Sequence, residues 1–329
     1  MRALIVTNMY PTAARPHAGA FIASQVGSLR ELGVEIEVCH LDRPDQGRSV
    51  YRQLPRTMRR LVSSTRPDLV HVQYGGVLAN SVSRAIRDRP VLVSFCGDDL
   101  LGGGGGGLMD RAARSYNVIA SRRAAARAAG IVVKSRNLFD ALPRGLNGDR
   151  VWILPNGVDT SRFRPLDRLE CQSVLGWDPG RRHVLFPAPA WRPEKRFELA
   201  QATVARLDGG NHSVELHALE GVTHDQVPTW LNAADAVLLT SSREGSPNAV
   251  KEALACNVPV VSVDVGDVRE RFEGIDGCYI GEPTPDDLGN KLQRVLERGS
   301  RIEGREQVQT IAIDRVARKL VGIYETLIG

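Results

Sequence analysis

The stretch that decides the fold is SREGSPNAVKEALACNVPVVSVDVGDVRE, residues 242–270. It follows the apolar run Ala236–Thr240, whose Val and Leu content is typical of a strand buried in a parallel sheet. Ser246 then offers a hydroxyl for the N-cap of a helix, and Pro247 suits the first helical position, where its missing N–H costs nothing. A further apolar run, Val258–Val263, predicts the next strand. The order strand, helix, strand predicts a parallel α/β unit.

Two glutamates lie at the helix of this unit, which we predict over Asn248–Ala255. Glu244 is on the loop before the helix, and Glu252 is inside it, eight positions later. The N–H groups and the positive end of the dipole at a helix N-terminus favour anions, so the crevice in front of it suits a diphosphate. Carboxylates beside such a site would repel the anion unless they bind hydroxyl groups or a developing cation. The alternative is a pair of solvated glutamates in an ordinary α/β unit.

Length and composition predict a soluble globular protein of about two domains with a mildly basic charge. The chain has 329 residues, of which 42% are hydrophobic and 25% are charged. Its net charge is +5, but the arginines are scattered, which suits an anionic donor or membrane surface and gives no basic stripe for nucleic acid. Five cysteines without a CxxC pair predict reduced thiols in the cytoplasm. We expect no signal peptide and no membrane-spanning segment, since no apolar run is long enough.

The N-terminal half reads as alternating strands and helices. Ala3–Thr7 predicts a strand, Ala20–Leu32 a helix with apolar residues at helical spacing, and Val34–Leu41 the next strand. This start lacks the GxGxxG fingerprint that follows the first strand of dinucleotide-binding domains, which argues against a dehydrogenase. Further strands are predicted at residues 68–73, 91–95, 131–134 and 151–154, with a long helix over Leu108–Ala129.

Three features of this half are candidate ligand contacts. Leu54–Ser64 predicts a basic helix, whose arginines either form a solvated face or contact an anionic acceptor or lipid head groups. Cys96-Gly97-Asp98-Asp99 follows a strand at its carboxyl end, where open α/β sheets bind ligands. For Asp98 and Asp99 we favour loop structure or hydroxyl binding over a metal, because no further ligand spacing accompanies them. Six glycines, Gly102–Gly107, predict a flexible loop that could close over an acceptor.

In the C-terminal half, His183–Phe186 predicts a strand and Pro193–Leu207 the helix after it. Lys195 and Arg196 would then lie in the first helical turn, where cations oppose the helix dipole. A bound diphosphate nearby would offset that cost. Val308–Ile328 predicts a terminal amphipathic helix.

The segment EGSPNAVKEALACNVPVVS, residues 244–262, with two glutamates separated by seven residues, resembles the signature of retaining glycosyltransferases of the GT-B fold, family 4. The resemblance extends to PDLVHVQ (residues 67–73), to PNGVDTSRFRP (residues 155–165) and to Gly19, which matches a glycine that lets the backbone approach donor phosphates. It implies that Glu244 faces the donor sugar and that Glu252 binds the ribose hydroxyls. Two positions depart from the family pattern. Cys96 replaces its usual histidine, and Pro189-Ala190 replaces a Gly-Arg, so we suggest that Arg192 supplies the missing charge beside Lys195.

The implied fold is α/β, with two Rossmann-like doubly wound domains and the active site in the cleft between them. Residues 1–164 would form the acceptor-binding domain, with the helix 308–329 packing back on it, and residues 165–307 the donor-binding domain. The candidate residues are Glu244 and Asp99 for the chemistry and, for donor binding, Gly19, Arg192, Lys195, Gly245, Ser246, Pro247, Asn248, Ala249 and Glu252.

The implied function is a retaining transfer of sugar from a nucleoside-diphosphate sugar, of UDP or GDP type, to a glycan, lipid-linked or small-molecule acceptor. No cofactor or metal is expected, since no DxD motif is present. A cytoplasmic location follows, with contact at the inner face of the membrane left open, and a cell-surface polysaccharide or glycolipid intermediate is the favoured product. The alternatives are a nucleotide-sugar epimerase on the same fold, an inactive nucleotide- or glycan-binding protein and, more distantly, a dehydrogenase.

Overall fold

A computed structural model describes residues 1–15, 18–42, 47, 49–103, 107–146, 148–207 and 213–329. The chain divides into two compact units, Met1–Gly157 with Ile313–Gly329, and Val158–Ala312. The boundaries therefore differ from the expected 164/165 and 307/308. The second unit begins at Val158 because its N–H donates to the carbonyl oxygen of Ile311 at 3.1 Å, pairing the start of this unit with its end.

In the first unit, six of the described segments form a parallel sheet in the order β2-β1-β3-β4-β5-β6. The strands are β1 (Arg2–Thr7), β2 (Glu35–His40), β3 (Leu69–Gln73), β4 (Val91–Phe95), β5 (Gly130–Val133) and β6 (Val151–Ile153). Helices cover both faces of such a sheet, so its central strands are continuous apolar runs. Every residue of β3 and β4 is buried accordingly.

Six helices of the described residues up to Gly157 accompany this sheet. They are α1 (Ala20–Glu31), α2 (Val50–Thr65), α3 (Gly76–Ala85), α4 (Asp98–Leu101), α5 (Leu108–Arg127) and α6 (Arg136–Asp140). Helix α2 shows the expected division of faces, because Leu54, Met58 and Val62 are buried while Arg56, Arg59 and Arg60 are exposed. Of the glycine run 102–107, residues 104–106 lie outside the described residues.

The second unit contains a five-stranded parallel sheet in the order β11-β10-β9-β7-β8 among its described residues. Its strands are β7 (Arg182–Phe186), β8 (Val214–Ala218), β9 (Ala236–Leu239), β10 (Val260–Val263) and β11 (Tyr279–Gly281). Its helices are α7 (Arg168–Leu175), α8 (Phe197–Ala205), α9 (Val227–Ala233), α10 (Asn248–Ala255), α11 (Val268–Phe272), α12 (Pro285–Arg298) and α13 (Arg305–Gln309). Two parallel α/β sheets of this kind confirm the predicted fold class.

The predicted terminal helix over Val308–Ile328 was wrong as a single element. The chain forms α13 in the second unit and then α14 (Ile313–Ile328) in the first unit. The break lies at residues 310–312, where the Ile311 carbonyl accepts the bond from Val158. Helix α14 packs on the first unit through Val316, Leu320 and Tyr324, all buried. No helix among the described residues has the length and apolar character needed to cross a bilayer.

Candidate functional site

The loops after β7 and β9 are joined by hydrogen bonds at the carboxyl ends of these neighbouring strands. The Thr240 hydroxyl donates to the carbonyl oxygens of Lys195 and Arg196 at 2.7 and 3.0 Å. The Arg196 guanidinium in return donates to the carbonyl oxygens of Thr240 and Ser241 at 2.6 and 3.1 Å. The Ser242 N–H completes the join by donating to the carbonyl oxygen of Glu194 at 2.8 Å. Because five bonds tie the loops, the side chains on them have fixed relative positions.

Lys195 and Glu244, one on each loop, form an ion pair between Lys195 Nζ and Glu244 Oε1. Their side chains are only 16% and 15% exposed, so the pair is shielded from most of the solvent. The placement of Lys195 and Arg196 in the first turn of a helix was wrong. Lys195 ends a separate 3₁₀ turn, Pro193–Lys195, and Arg196 takes a left-handed conformation with φ of 54° before α8 begins at Phe197. Lys195 therefore does not oppose the dipole of α8; its charge faces Glu244.

Arg192 lies on the same loop, but its charge is already shared. Its Nε donates to Glu194 Oε1 at 2.7 Å, and the Arg192 side chain is 41% exposed. Although burial acts to raise it, the pKa of Glu194 is lowered by a backbone N–H and by Arg192. The structure thus places a carboxylate beside the guanidinium that was suggested to replace the missing family arginine.

Helix α10 begins after Glu244, though not as predicted. Pro247 is the N-cap, with no side-chain cap bond, and the helix starts at Asn248. The Ser246 hydroxyl instead donates to Asp267 Oδ2 at 2.9 Å and accepts from Lys251 Nζ at 3.1 Å, so the predicted N-cap role of Ser246 was wrong. The reason is tertiary, because the buried Lys251 and Asp267 offer Ser246 charged partners, which outweigh a backbone N–H.

The segment before α10 is largely buried. Gly245, Ser246 and Pro247 are buried, and Asn248 and Ala249 in the first turn are half-buried. The first turn of α10 carries no acidic side chain of its own, and donor contact by these five residues stays a prediction.

Glu252, inside α10, faces a histidine that the sequence did not point to. Glu252 Oε1 lies 3.5 Å from His224 Nε2, and the Glu252 side chain is 15% exposed. The other ring nitrogen of His224 lies 2.8 Å from an Arg162 nitrogen, and its ring packs on Phe163. A single histidine in a loop has no spacing signal, so only the structure reveals His224 as a neighbour of the predicted ribose ligand.

In the first unit, Gly19 occupies a position that only glycine fits. It precedes α1 with φ of 68°, and a Cβ there would lie 2.4 Å from the Met9 carbonyl oxygen. The backbone at Met9, in the loop between β1 and α1, therefore packs directly against Gly19 at the start of α1. This packing explains the glycine, and donor contact by Gly19 stays a prediction.

Asp99 is fully buried, and its carboxylate accepts hydrogen bonds from three backbone N–H groups, of Gly75, Cys96 and Gly97, at 2.7–3.1 Å. Burial raises its pKa, which these N–H donors oppose. Asp99 thus joins the loops after β3 and β4, as the loop-structure interpretation holds, and its geometry does not support the role in the chemistry that the sequence suggested.

Two residues beside this loop escaped the sequence analysis. Lys134, at the carboxyl end of β5, is 2% exposed, and burial lowers its pKa, while Cys96 and Asp99 act in the opposite direction. Tyr74 follows β3 with φ of 99°, an unusual conformation for a residue with a side chain. The sequence does contain a sign of Lys134, because a lysine directly follows the apolar run Ile131–Val133. The strain at Tyr74 had none.

Comparison with known proteins places both units in one family. The model of Glycosyltransferase Family 4 matches residues 13–162, and the model of Glycosyl transferases group 1 matches residues 193–298. TuaC of Bacillus subtilis, assigned as a teichuronic acid biosynthesis glycosyltransferase, is 26% identical over 83% of both chains. The D-inositol 3-phosphate glycosyltransferase of Pseudarthrobacter chlorophenolicus is 29% identical, but the match spans 41% of this chain and 39% of that protein.

Solved structures share the fold over nearly the whole chain at low sequence identity. Sucrose-phosphate synthase of Thermosynechococcus elongatus has a TM-score of 0.79 at 14% identity, with 99% of both chains covered. Alr3699/HepE of Anabaena, in complex with UDP and glucose, has a TM-score of 0.70 at 14% identity, covering 99% of this chain and all of that one. The UDP-GlcNAc 2-epimerase of Methanocaldococcus jannaschii has a TM-score of 0.64 at 10% identity, again covering 99% of this chain and all of that one. The matched models, the relatives and the two parallel-sheet units together establish that this chain belongs to the group 1, family 4 glycosyltransferases of the GT-B fold.

Proposed function

We propose that this glycosyltransferase moves a sugar from a UDP- or GDP-sugar to a cell-surface polysaccharide or glycolipid intermediate, with retention of anomeric configuration and without a metal. The observation that carries the proposal is the shielded Lys195–Glu244 pair, held by the joined loops after β7 and β9. Ligands of open α/β sheets bind at the carboxyl ends of the strands, which is where this pair lies.

The pair gives each partner a role when a donor binds. The diphosphate carries more negative charge than one carboxylate, so Lys195 turns from Glu244 to the phosphates and stabilises the charge that develops on the leaving group. The N-terminal end of α10, whose first turn carries no acidic side chain, adds to this stabilisation. With a lysine and a helix terminus on the diphosphate, the reaction has its charge stabilisation without a divalent ion.

Glu244 is then released to act on the sugar. Its carboxylate accepts hydrogen bonds from sugar hydroxyls and stabilises positive charge developing at the anomeric carbon. Glu252, inside α10, accepts hydrogen bonds from the ribose hydroxyls and so positions the nucleotide.

The acceptor class is supported by the relatives. TuaC is assigned to teichuronic acid biosynthesis, and LpsB of Rhizobium meliloti, 24% identical over 53% of this chain, is named a lipopolysaccharide core biosynthesis mannosyltransferase. Both names refer to polymers of the cell surface. The exposed arginines of α2 offer positive charge to an anionic acceptor of this kind.

The test is Glu244→Gln, which keeps the size and hydrogen-bonding reach of the side chain but removes its charge. Thermal shifts with UDP, GDP, ADP and dTDP, with and without magnesium, first identify the nucleotide, since a ligand at a hundred times its Kd adds about 2.7 kcal/mol. We expect Glu244→Gln to lower transfer by about 100-fold or more, the scale of a lost electrostatic contact to the transition state. Nucleotide affinity should be equal or higher, because Lys195 loses its competing partner.

The matched control is Glu273→Gln, which removes the same charge from an exposed position and should leave both quantities unchanged. Loss of nucleotide affinity in Glu244→Gln, in parallel with activity, would contradict the role assigned to Glu244. Donor turnover without acceptor would point to an epimerase, and nucleotide binding with no turnover under any condition would point to a binding protein.

A further inference from the structure

Two histidines and a glutamate meet at the edge of the second sheet, away from the residues of the proposed reaction. His183 is on β7, and Glu215 and His217 are on the edge strand β8. In the parallel register His183 is paired with Glu215, and side chains at i and i+2 of a strand share a face, so His217 lies on the same side. Among the residues that the structure describes, these three form a group whose ligand atoms all lie within 4.8 Å of one another.

The three atoms that converge are His183 Nδ1, His217 Nε2 and Glu215 Oε2. The two nitrogens are 2.9 Å apart, and the carboxylate oxygen lies 3.5 Å from His183 Nδ1 and 3.6 Å from His217 Nε2. A circle through corners separated by these three distances has a radius of about 1.9 Å. An ion slightly out of that plane sits about 2.0–2.1 Å from all three, which is the length of zinc bonds to imidazole nitrogen and carboxylate oxygen.

Neighbouring groups orient His183 and Glu215 as metal ligands require, and an aromatic ring packs on His217. His183 Nε2 is 2.8 Å from the carbonyl oxygen of Asp178, to which it donates, so Nδ1 keeps its lone pair towards the cluster. Arg181 donates to Glu215 Oε1, which leaves Oε2 to face the histidines. The indole of Trp177 stacks on the His217 ring, with centroids 3.7 Å apart and planes 10° from parallel.

We propose that His183, Glu215 and His217 bind one divalent transition-metal ion, with zinc as the ion that this donor set suits best. Imidazole nitrogens select zinc, copper or nickel over magnesium and calcium, which require oxygen ligands. His183 is fully buried, whereas the His217 and Glu215 side chains are 18% and 32% exposed, so the fourth position opens to water. Arg181 places a positive charge nearby and lowers the affinity relative to an isolated carboxylate.

The metal links the edge strand β8 to β7 through His183 and His217, which are 34 residues apart in the chain. His183 lies at the amino end of β7, whereas Lys195 follows the carboxyl end of that strand, so the ion has no part in transfer. The site therefore stabilises the edge of the second sheet, and it stands independently of the proposed function.

The experiment uses the full chain, stripped with EDTA and dialysed against zinc chloride at buffered free-ion concentrations, with bound zinc measured by mass spectrometry. We expect one zinc per chain in the wild type. His217→Gln and Glu215→Gln should each weaken binding about tenfold or more, since even residues that only orient a ligand change metal affinity by about 10- to 100-fold. His40→Gln, a half-buried histidine at the end of β2 in the other unit, is the matched control and should bind zinc as the wild type does.

A second measurement on the wild type does not depend on the folding of any variant. Cobalt in place of zinc should give visible bands of a four-coordinate site without the near-ultraviolet charge-transfer band of a thiolate. The thiolate band would place the metal on one of the free cysteines and overturn the proposal. So would failure of the wild type to retain zinc, or equal uptake by all four proteins.

Discussion

His71 offers a sharp prediction about stability and pH, because it is a fully buried histidine in β3. Its Nδ1 lies 2.7 Å from the Tyr324 hydroxyl of α14, and its Nε2 lies 2.8 Å from the Ser94 hydroxyl of β4. Burial, and then the nearby charge of Lys134, lower its pKa from 6.5 to about 3. The neutral ring thus holds the returning C-terminal helix to the sheet.

The sign of the effect follows from the direction of this shift. Below pH 6.5 the unfolded chain binds a proton at this histidine, whereas the folded chain does not do so until pH about 3. Stability contributed by the neutral ring is therefore complete above pH 6.5 and is lost as the pH falls towards 3. Each pH unit in that window costs about 1.4 kcal/mol, so lowering the pH from 7.5 to 4.5 should cost roughly 2–3 kcal/mol through His71 alone.

The variant that isolates this contribution is His71→Gln, because an amide donates and accepts hydrogen bonds as the neutral ring does but does not titrate. A chain of two units can unfold in more than one step, so unfolding in urea should be followed locally, by hydrogen exchange of peptides from β3 and α14. The difference in unfolding free energy between wild type and variant should change by roughly 2–3 kcal/mol, to the disadvantage of the wild type, when the pH is lowered from 7.5 to 4.5.

Two results would refute this reasoning. One is an equal dependence on pH in the wild type and in His71→Gln, since other histidines would then account for all of it. The other is an ordinary pKa for His71 in the folded protein, measured by the chemical shifts of its ring.

Three further changes test the donor site and the first loop. Lys195→Ala should weaken binding of the nucleoside diphosphate about tenfold or more and leave binding of the bare nucleoside nearly unchanged, since hydrogen bonds to charged groups contribute about 1.5–3 kcal/mol. Calorimetry with both ligands measures this, and Arg192→Ala should have the smaller effect. Equal weakening of both ligands would show that Lys195 is not in the phosphate site. Glu252→Gln should reduce the preference for UDP or GDP over its 2′-deoxy form in competition binding, and an unchanged preference would separate Glu252 from the ribose. Gly19→Ala should lower the free energy of unfolding of the first unit, measured in urea, by about 2–4 kcal/mol, because of the left-handed backbone and the clash of the new methyl group with Met9. The control is Gly27→Ala inside α1, where an added Cβ has no neighbour within 4 Å, so this change should be neutral or stabilising by about 0.5–1 kcal/mol. Similar losses in both variants would contradict the steric argument.

The sequence by itself determined the class of fold and the position of the strand–helix–strand unit around Glu244. Central strands of a parallel sheet are buried on both faces, so they appear as continuous apolar runs that can be read without a structure. The helix after Glu244 was recognisable from equally local features, since no glycine or proline interrupts Asn248–Ala255 and Pro259 follows shortly after it. Such features depend on neighbours in the chain, which the sequence displays directly.

The tertiary structure decided which side chains meet. Lys195 pairs with Glu244, 49 residues away, because β7 and β9 are neighbours in the sheet while β8 lies outside them. Local periodicity does not encode strand order. Ser246 bonds to a buried lysine and aspartate instead of capping α10 for a similar reason, since only the fold brings Asp267 to it.

The same holds for the longest-range contacts. His71 and Tyr324 are 253 residues apart, and they meet because α14 returns to the first unit. The chain before it is broken at residues 310–312, where backbone pairing with Val158 replaces the helix that amphipathic spacing alone predicted. A hydrogen bond to a distant segment of the chain can end a helix that its own sequence would continue, and a pattern of local spacing contains no record of that partner.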